Sequence, residues 1–299
     1  MKIFVTGGSG FIGSKVVEIL ISKGHSVIGL ARSDASAEKL EAAGAEVVRG
    51  ELTEIDLLIK TAAEADGTIH LGFLHDFTRF AYCMEMDQKI VTAICESYKG
   101  TNKFFINSTG TLGLQGPDLT DEDSPVPPPL LPGFSIRGET EKKLLAYAKE
   151  GVRVVSIRLS PTVHDVDCKG LIPSFYGMFK KAGAAYYPDA GDNVWPFVHR
   201  DDAAELYTLA VDKAAAGTVL HAIAEPGVST KEIAEAMAKK GGLEAKSIPK
   251  AQLFEILGPL FGALYSANNH VSSEKTKKLT GWVPTGATFL EDFAASTTY

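Results

Sequence analysis

No apolar run in this 299-residue chain approaches 18 residues, so a membrane-spanning helix is excluded. Positive charge is not in excess either: 30 Lys and Arg stand against 37 Asp and Glu, a formal net charge of -7, and no long Lys/Arg run occurs. Neither a nucleic-acid partner nor an acidic membrane surface is therefore expected. Cysteine is scarce. Cys83, Cys95 and Cys168 form no CxxC and no metal-like cluster; such an odd, sparse set suits a reducing compartment, with the thiols as buried fillers. No charged-then-apolar leader precedes the first apolar run, and the expected location is the cytoplasm. What is present is ordinary for a soluble globular chain, 45% hydrophobic and 22% charged residues, enough for one large domain or two modest ones.

Short apolar runs alternate with helix-period segments through the first half. KIFVTG (2–7), SVIGLA (26–31), AEVVRG (45–50), GTIHLGF (67–73), KFFINST (103–109) and VRVVSIRL (152–159) read as strands. SKVVEILISKG, SAEKLEAAG, AYCMEMDQKIVTAICESY and GETEKKLLAYAKEG read as helices, with Gly24, Gly44 and Gly151 where C-terminal stops belong. This alternation predicts βαβ units and an α/β, Rossmann-like doubly wound parallel sheet. After about residue 164 the rhythm weakens. CKGLIPSFYGMFKKAG reads as a helix, AAYYPDAGDNVWPFVHRDD as an irregular excursion, DDAAELYTLAVDKA as a helix and GTVLHAIAE as a strand. Ser229 and Glu232 make a capping-box signature for a further helix. The predicted organisation is a nucleotide-binding domain over 1–164 plus 196–224 and a smaller C-terminal substrate lobe over 165–195 plus 225–299. PVPPPLLPG (125–133) reads as a surface loop.

VTGGSGFIGSKV is the most informative stretch. Gly7, Gly10 and Gly13 follow a predicted strand and open a predicted helix. The first permits a tight turn, the second lets backbone approach a pyrophosphate, and the third lets helix pack close to strand. The helix N-terminus then offers free N–H groups to an anion.

The spacing Thr6-Gly7-x-x-Gly10-Phe11-Ile12-Gly13 resembles the extended short-chain dehydrogenase/reductase family. FINSTGTLG, VSIRLSPTV, WPFVHRDDAAELY and TKKLTGWVPT resemble later signatures of that family, so the resemblance runs over roughly residues 1–290. It implies a dinucleotide cofactor and a small-molecule substrate. Related folds often pair through their fourth and fifth helices, and a homodimer is the assembly to consider, though MEMDQKIVTAICES shows no apolar patch beyond what a sheet-facing helix needs.

The second strand ends LARSD. Where NAD enzymes of this kind place an acid, this chain has Ala31, followed by Arg32 and Ser33. A carboxylate would repel a 2′-phosphate and a guanidinium would bind it, so NADP(H) is expected over NAD(H). By resemblance, Glu51 with Leu52 in RGEL approaches the adenine, and Leu71, Gly72 and Phe73 run beside the cofactor's ribose.

SFYGMFKK holds Tyr176 and Lys180 at i, i+4, a spacing that lets a cation favour a phenolate. In the family, however, the catalytic tyrosine stands on the helix after the fifth strand. There the chain reads FSIRGETEKKLLAYA, which places Arg137 at the tyrosine position and Glu141 at the lysine position. This resembles an atypical branch that lacks the tyrosine–lysine pair. Thr109 matches the family's catalytic Ser/Thr, with Ser108 beside it. Arg137 cannot release a proton but can stabilise an oxyanion. Glu141 can act as an acid/base if buried, or simply pair with Arg137 at i, i+4. His75, Asp76 and His164 are other proton-donor candidates, and Asp87 falls near the family's helix-four Asn. His199 carries no chemistry in this reading, and Asp201 and Asp202 form a helix first turn.

Three functions remain open. The first is an NADP(H)-dependent oxidoreductase that reduces a carbonyl on a small, fairly apolar molecule, with Thr109 and Arg137 on the carbonyl oxygen. The second keeps the fold without net redox, as an epimerase, dehydratase, isomerase or cyclase. The third is a nucleotide-sensing binding protein.

Overall fold

The computed structural model describes residues 1–129, 135–167 and 170–298; Cys168, the end of PVPPPLLPG and the side chain of Phe77 lie outside the described residues. Strands β1 (Lys2–Thr6), β2 (Ser26–Ala31), β3 (Glu46–Arg49), β4 (Gly67–His70), β5 (Phe104–Gly110) and β6 (Arg153–Leu159) alternate with helices α1 (Phe11–Ser22), α2 (Asp34–Ala42), α3 (Ile55–Ala63), α4 (Phe80–Tyr98) and α5 (Ser135–Ala146). Then come β7 (Thr162–His164), α6 (Leu171–Ala182), β8 (Ala185–Pro188), β9 (Val194–His199), α7 (Arg200–Lys213) and β10 (Thr218–Ala222). The chain closes with β11 (Glu225–Ser229), α8 (Thr230–Gly241), β12 (Ala245–Ile248), α9 (Lys250–Tyr265), α10 (Glu274–Thr280) and α11 (Phe289–Ala295).

Among the described residues the main sheet has seven strands in the order β10-β6-β5-β4-β1-β2-β3, and every neighbouring pair is parallel. The expected doubly wound sheet is present. Its central strands are largely apolar on both sides because both faces are covered. One face packs Val16, Val17 and Leu20 of α1 with Leu206, Tyr207 and Ala210 of α7. The other packs Leu58 and Ala62 of α3, Ile90 and Ile94 of α4, and Leu144 of α5. The Val, Leu and Ile side chains among these contribute about 1.5–3 kcal/mol each on burial. Helix α3 was not foreseen from the sequence. It is a single short segment without a side-chain cap, so its packing against the sheet, rather than a local start signal, defines it.

A second apolar cluster, over the segments expected to form the small lobe, gathers α6, α8, α9 and α11 around Phe175, Phe179, Trp195, Tyr265 and Phe289. The stretch read as irregular holds two strands, and that expectation is corrected. Strand β8 pairs with β12, and β9 pairs with β7 and β11. These partners lie far along the chain, and Pro188, Gly191 and Pro196 break the local alternation. The capping box of Ser229 and Glu232 forms as expected. The segment after 225 does not pack wholly within the small lobe. Helix α10 packs against α7 and β10, and Trp282 joins the apolar cluster of Val198 and Tyr207.

Asp202, in the first turn of α7, holds that returning segment. Its carboxylate accepts the N–H groups of Thr285 and Gly286, both at 2.9 Å, and its backbone carbonyl accepts the Trp282 indole N–H at 2.9 Å. Replacing Asp202 by Ala strands two backbone donors and is expected to cost about 2–4 kcal/mol. Urea unfolding should show a lower midpoint with an unchanged slope. An unchanged midpoint would show that the carboxylate does not hold the segment.

Candidate active site

The chain leaves β1 through a loop that only glycine allows. Gly7 has φ +70, and a Cβ there would stand 2.7 Å from the backbone nitrogen of Gly72. A Cβ on Gly13 would stand 2.1 Å from the Gly7 carbonyl oxygen. Gly10 closes the turn by donating its N–H to that same oxygen at 3.0 Å. It is also the N-cap of α1, with no side-chain cap and no acidic residue in the first turn. The N–H groups at the start of α1 are thus left to an outside acceptor. Backbone approach without side chains, at a helix N-terminus, fits the diphosphate of a dinucleotide.

This loop forms the middle of a cleft of about 720 Å³ that opens at the carboxyl ends of the parallel strands, by the neighbours β1 and β4 where the strand order reverses. Of the residues expected to meet the cofactor, Gly7, Gly10, Phe11, Ile12, Gly13, Arg32, Glu51, Leu52, Leu71, Gly72 and Phe73 all line it. Ser33 does not. Its hydroxyl caps α2 by accepting from the Ser36 N–H at 3.3 Å, and its carbonyl accepts from Arg49 at 2.7 Å. Ser36 lines the cleft instead, one helical turn further on. Arg49 also takes the carboxylate of Asp34 at 2.6 Å, which leaves Arg32 with no ion-pair partner among the described residues.

The floor contains a histidine that the sequence reading missed. Buried His70, the last residue of β4, places Nδ1 2.7 Å from Thr6 Oγ1 and Nε2 3.3 Å from Asp87 Oδ1. Thr6 Oγ1 accepts the Gly72 N–H at 3.1 Å. Its own proton then goes to Nδ1, and Nε2–H donates to Asp87. A polar residue ending the otherwise apolar run GTIH was the available signal. Asp87, loosely placed from the sequence, lines the cleft from α4.

At the other end stands Arg137 on α5. Its guanidinium lies 5.0 Å from the centre of the Phe73 ring, and Nη2 donates to the Ser108 carbonyl at 3.2 Å. Its Nε is buried without a hydrogen-bond partner. Ser108 Oγ donates to the His70 carbonyl and accepts the Tyr207 hydroxyl, each at 2.7 Å. Burial pushes the Tyr207 phenol far above its ordinary range. Ser108 lines the cleft and Thr109 does not. Successive side chains of β5 point to opposite faces, so only one of the two faces the site.

Glu141 corrects a second expectation. It does not pair with Arg137. Its carboxylate accepts from Arg158 Nε at 3.0 Å, from Arg158 Nη2 at 2.7 Å and from Ser156 Oγ at 2.6 Å. Behind it, Arg158 Nη1 meets His221 Nε2 at 3.3 Å, while His221 Nδ1 bonds the Ser272 carbonyl at 2.8 Å. Burial holds the His221 pKa below its ordinary value, which suits a neutral ring accepting from Arg158. This is a buried structural network, and Glu141 is not among the cleft residues.

Tyr176 and Lys180 are also away from the cleft. Tyr176 packs 5.7 Å from Phe293 in the small-lobe core, with the Lys180 ammonium 5.2 Å from its ring centre. Burial raises its pKa, the opposite of activation. The Tyr147 hydroxyl bonds Glu96 at 2.7 Å. Asp76 is held down to about 2, first by the Thr78 hydroxyl and then by Arg79. His164 is buried against Asp292 at 2.8 Å. His75 lines the cleft, with its ring 5.4 Å from Phe73.

Replacing Glu141 by Ala leaves the Arg158 charge buried and uncompensated, with an expected loss of about 3–5 kcal/mol. Chemical denaturation measures it. A stable Glu141→Ala protein that had lost only its catalytic function would instead place Glu141 in the chemistry.

The sequence model of the NAD dependent epimerase/dehydratase family matches residues 3–223. The chain is 39% identical to the uncharacterized protein YLL056C of Saccharomyces cerevisiae over 304 residues, covering 99% of each. It is 27% identical over 164 residues to 4-hydroxy-2-methyl-3-oxo-4-farnesyl-3,4-dihydroquinoline-1-oxide ketoreductase of Stigmatella aurantiaca, covering 53% of this chain and 49% of the relative. In fold it is similar to the UDP-glucose 4-epimerase of Thermotoga maritima, solved with UDP-glucose: TM-score 0.77 at 21% identity, covering 99% of this chain and 97% of that one. The glycine loop, the parallel sheet and these likenesses agree, and the chain belongs to the NAD-dependent epimerase/dehydratase family.

Proposed function

We propose that the protein is an NADP(H)-dependent oxidoreductase that reduces the carbonyl of a small, fairly apolar molecule. The observation that carries this reading is a single cleft with a guanidinium at each end and neither in an ion pair among the described residues: Arg32 beside the end of β2, and Arg137 beside β5. A ketoreductase among the distant relatives supports the redox reading.

The glycine loop and the start of α1 would hold the diphosphate, Arg32 with Ser36 the 2′-phosphate, and Glu51 and Leu52 the adenine side. A reduced nicotinamide, when bound, supplies the hydride. The chain's own residues do the rest. Phe73, Leu74, Tyr82 and Leu159 give the cleft apolar walls that exclude water from the reacting carbonyl. Arg137, fixed by Phe73 and the Ser108 carbonyl, stabilises the charge that develops on the carbonyl oxygen. It keeps its own proton. That oxygen is finally protonated by His75, which opens onto the same cleft, or by water. The two described cysteines, Cys83 and Cys95, are buried and free, in keeping with a reducing cytoplasm.

Titrating wild-type protein and Arg32→Ala with NADPH and NADH, by the fluorescence of the reduced cofactor, tests the reading. Wild type should bind NADPH about 10–100-fold more tightly than NADH, and Arg32→Ala should lose that margin. Equal affinities in wild type would remove NADP(H) as the cofactor. Tight binding with no NADPH consumed across a panel of ketones and aldehydes would remove the reductase.

A further inference from the structure

Of the charged side chains that line the cleft, Asp76, Arg79 and Asp87 have partners, while Arg32, Glu51 and Arg137 are in no ion pair among the described residues. Asp76 holds Arg79 at 2.8 Å. Asp87 takes the His70 ring. Asp34, two residues after Arg32, is taken by Arg49. Glu51 stays at the Arg32 end, because the Gly50 N–H bonds the Ala31 carbonyl at 3.1 Å and so ties the loop after β3 to the end of β2. On Arg137's own helix Glu141 is used by Arg158. No carboxylate of the described residues reaches Arg137. Its neighbours are an aromatic face, one backbone carbonyl and an open cleft.

A cation fixed on one side and partly buried, with Nε orphaned, is an incomplete arrangement. A planar guanidinium is completed best by two coplanar oxygens carrying negative charge. We infer that the substrate is an anion, with a carboxylate directly beside the carbonyl that is reduced: a 2-oxo acid with an apolar or aromatic substituent. The planar O=C–C–O⁻ unit offers one carbonyl and one carboxylate oxygen along a single edge. One guanidinium then anchors the acid and polarises the ketone together. The substituent lies along Phe73, Tyr82 and Leu159. This inference rests on the proposed carbonyl reduction. In that step the C=O π bond breaks, the carbon gains a hydride from the reduced cofactor, the oxygen gains a proton, and the carboxylate is unchanged. The product is a 2-hydroxy acid.

Calorimetric titration with benzoylformate and with its neutral amide, benzoylformamide, tests it without turnover. Wild type, Arg137→Met and Arg137→Lys are each titrated in the presence of saturating NADP⁺ and again without nucleotide. Circular dichroism and a cooperative melt establish that the variants fold. Wild type should bind the acid at least about tenfold more tightly than the amide, a difference of about 1.4 kcal/mol. Arg137→Met should bind the two alike, and Arg137→Lys should keep part of the preference. Equal binding in wild type, or a preference that survives in Arg137→Met, overturns the inference. If NADP⁺ does not bind wild type, the reductase reading falls, and the acid-to-amide ratio in nucleotide-free protein still decides the role of Arg137.

Discussion

The site depends on one close approach. The backbone at Gly7 lies against the backbone at Gly72, with no room for a Cβ between them. That contact joins the loop after β1 to the loop after β4, the two central strands on either side of the point where the chain reverses its winding. Gly13 presses α1 onto the same turn. A side chain at either place would move the helix N-terminus and close the cleft from below. The apolar packing of both sheet faces makes the position rigid, since the central strands β1 and β4 are buried from above and below.

Charge then divides the cleft into ends. The chain spends its acids on structural partners: Asp34 on Arg49, Asp76 on Arg79, Glu141 on Arg158 and Asp202 on two backbone amides. Outside any ion pair among the described residues remain Arg32 and Glu51 at one end of the cleft and Arg137 at the other. A protein with formal net charge -7 thereby presents two guanidinium groups in its cleft outside any ion pair among the described residues. Local partnering, and not overall charge, sets the electrostatics of the site.

The strands of the main sheet were legible in the sequence because each is an apolar run of its own, punctuated by glycine at helix ends such as Gly151, with φ 77. The glycine loop was legible because its function requires backbone geometry that only one residue type supplies. Strands β8 and β9 were not, since their pairing partners β12 and β11 arrive from elsewhere in the chain. Within the site, the error at Glu141 has the same origin. The sequence offered Glu141 as a buried acid/base or, by the i, i+4 spacing, as a partner of Arg137, but Arg158 on β6 lies opposite and offers a guanidinium fork at 2.7 Å. Thr109 and Ser33 were each displaced by small shifts that spacing cannot resolve: a strand face in one case, a helix cap in the other.

His70 explains how these parts stay in register. Its ring joins Thr6 of β1 to Asp87 of α4, and Thr6 in turn holds the Gly72 N–H. Its carbonyl accepts from Ser108 of β5, whose hydroxyl is held by Tyr207 of α7 and whose carbonyl anchors Arg137 of α5. A single buried residue therefore connects the phosphate-loop strand, the floor of the cleft and the cation at its far end. No bond in this series is strong alone: the neutral ones are worth about 0.5–1.5 kcal/mol net and those of Asp87 and Arg137 about 1.5–3 kcal/mol. Their joint effect is positional. The ring of Phe73 and the plane of Arg137 can hold a fixed orientation only while Ser108 does, and Ser108 is fixed from two sides. Because an oxyanion stabiliser acts through its orientation before the reaction begins, the chemistry assigned to Arg137 requires this buried support as much as the guanidinium itself.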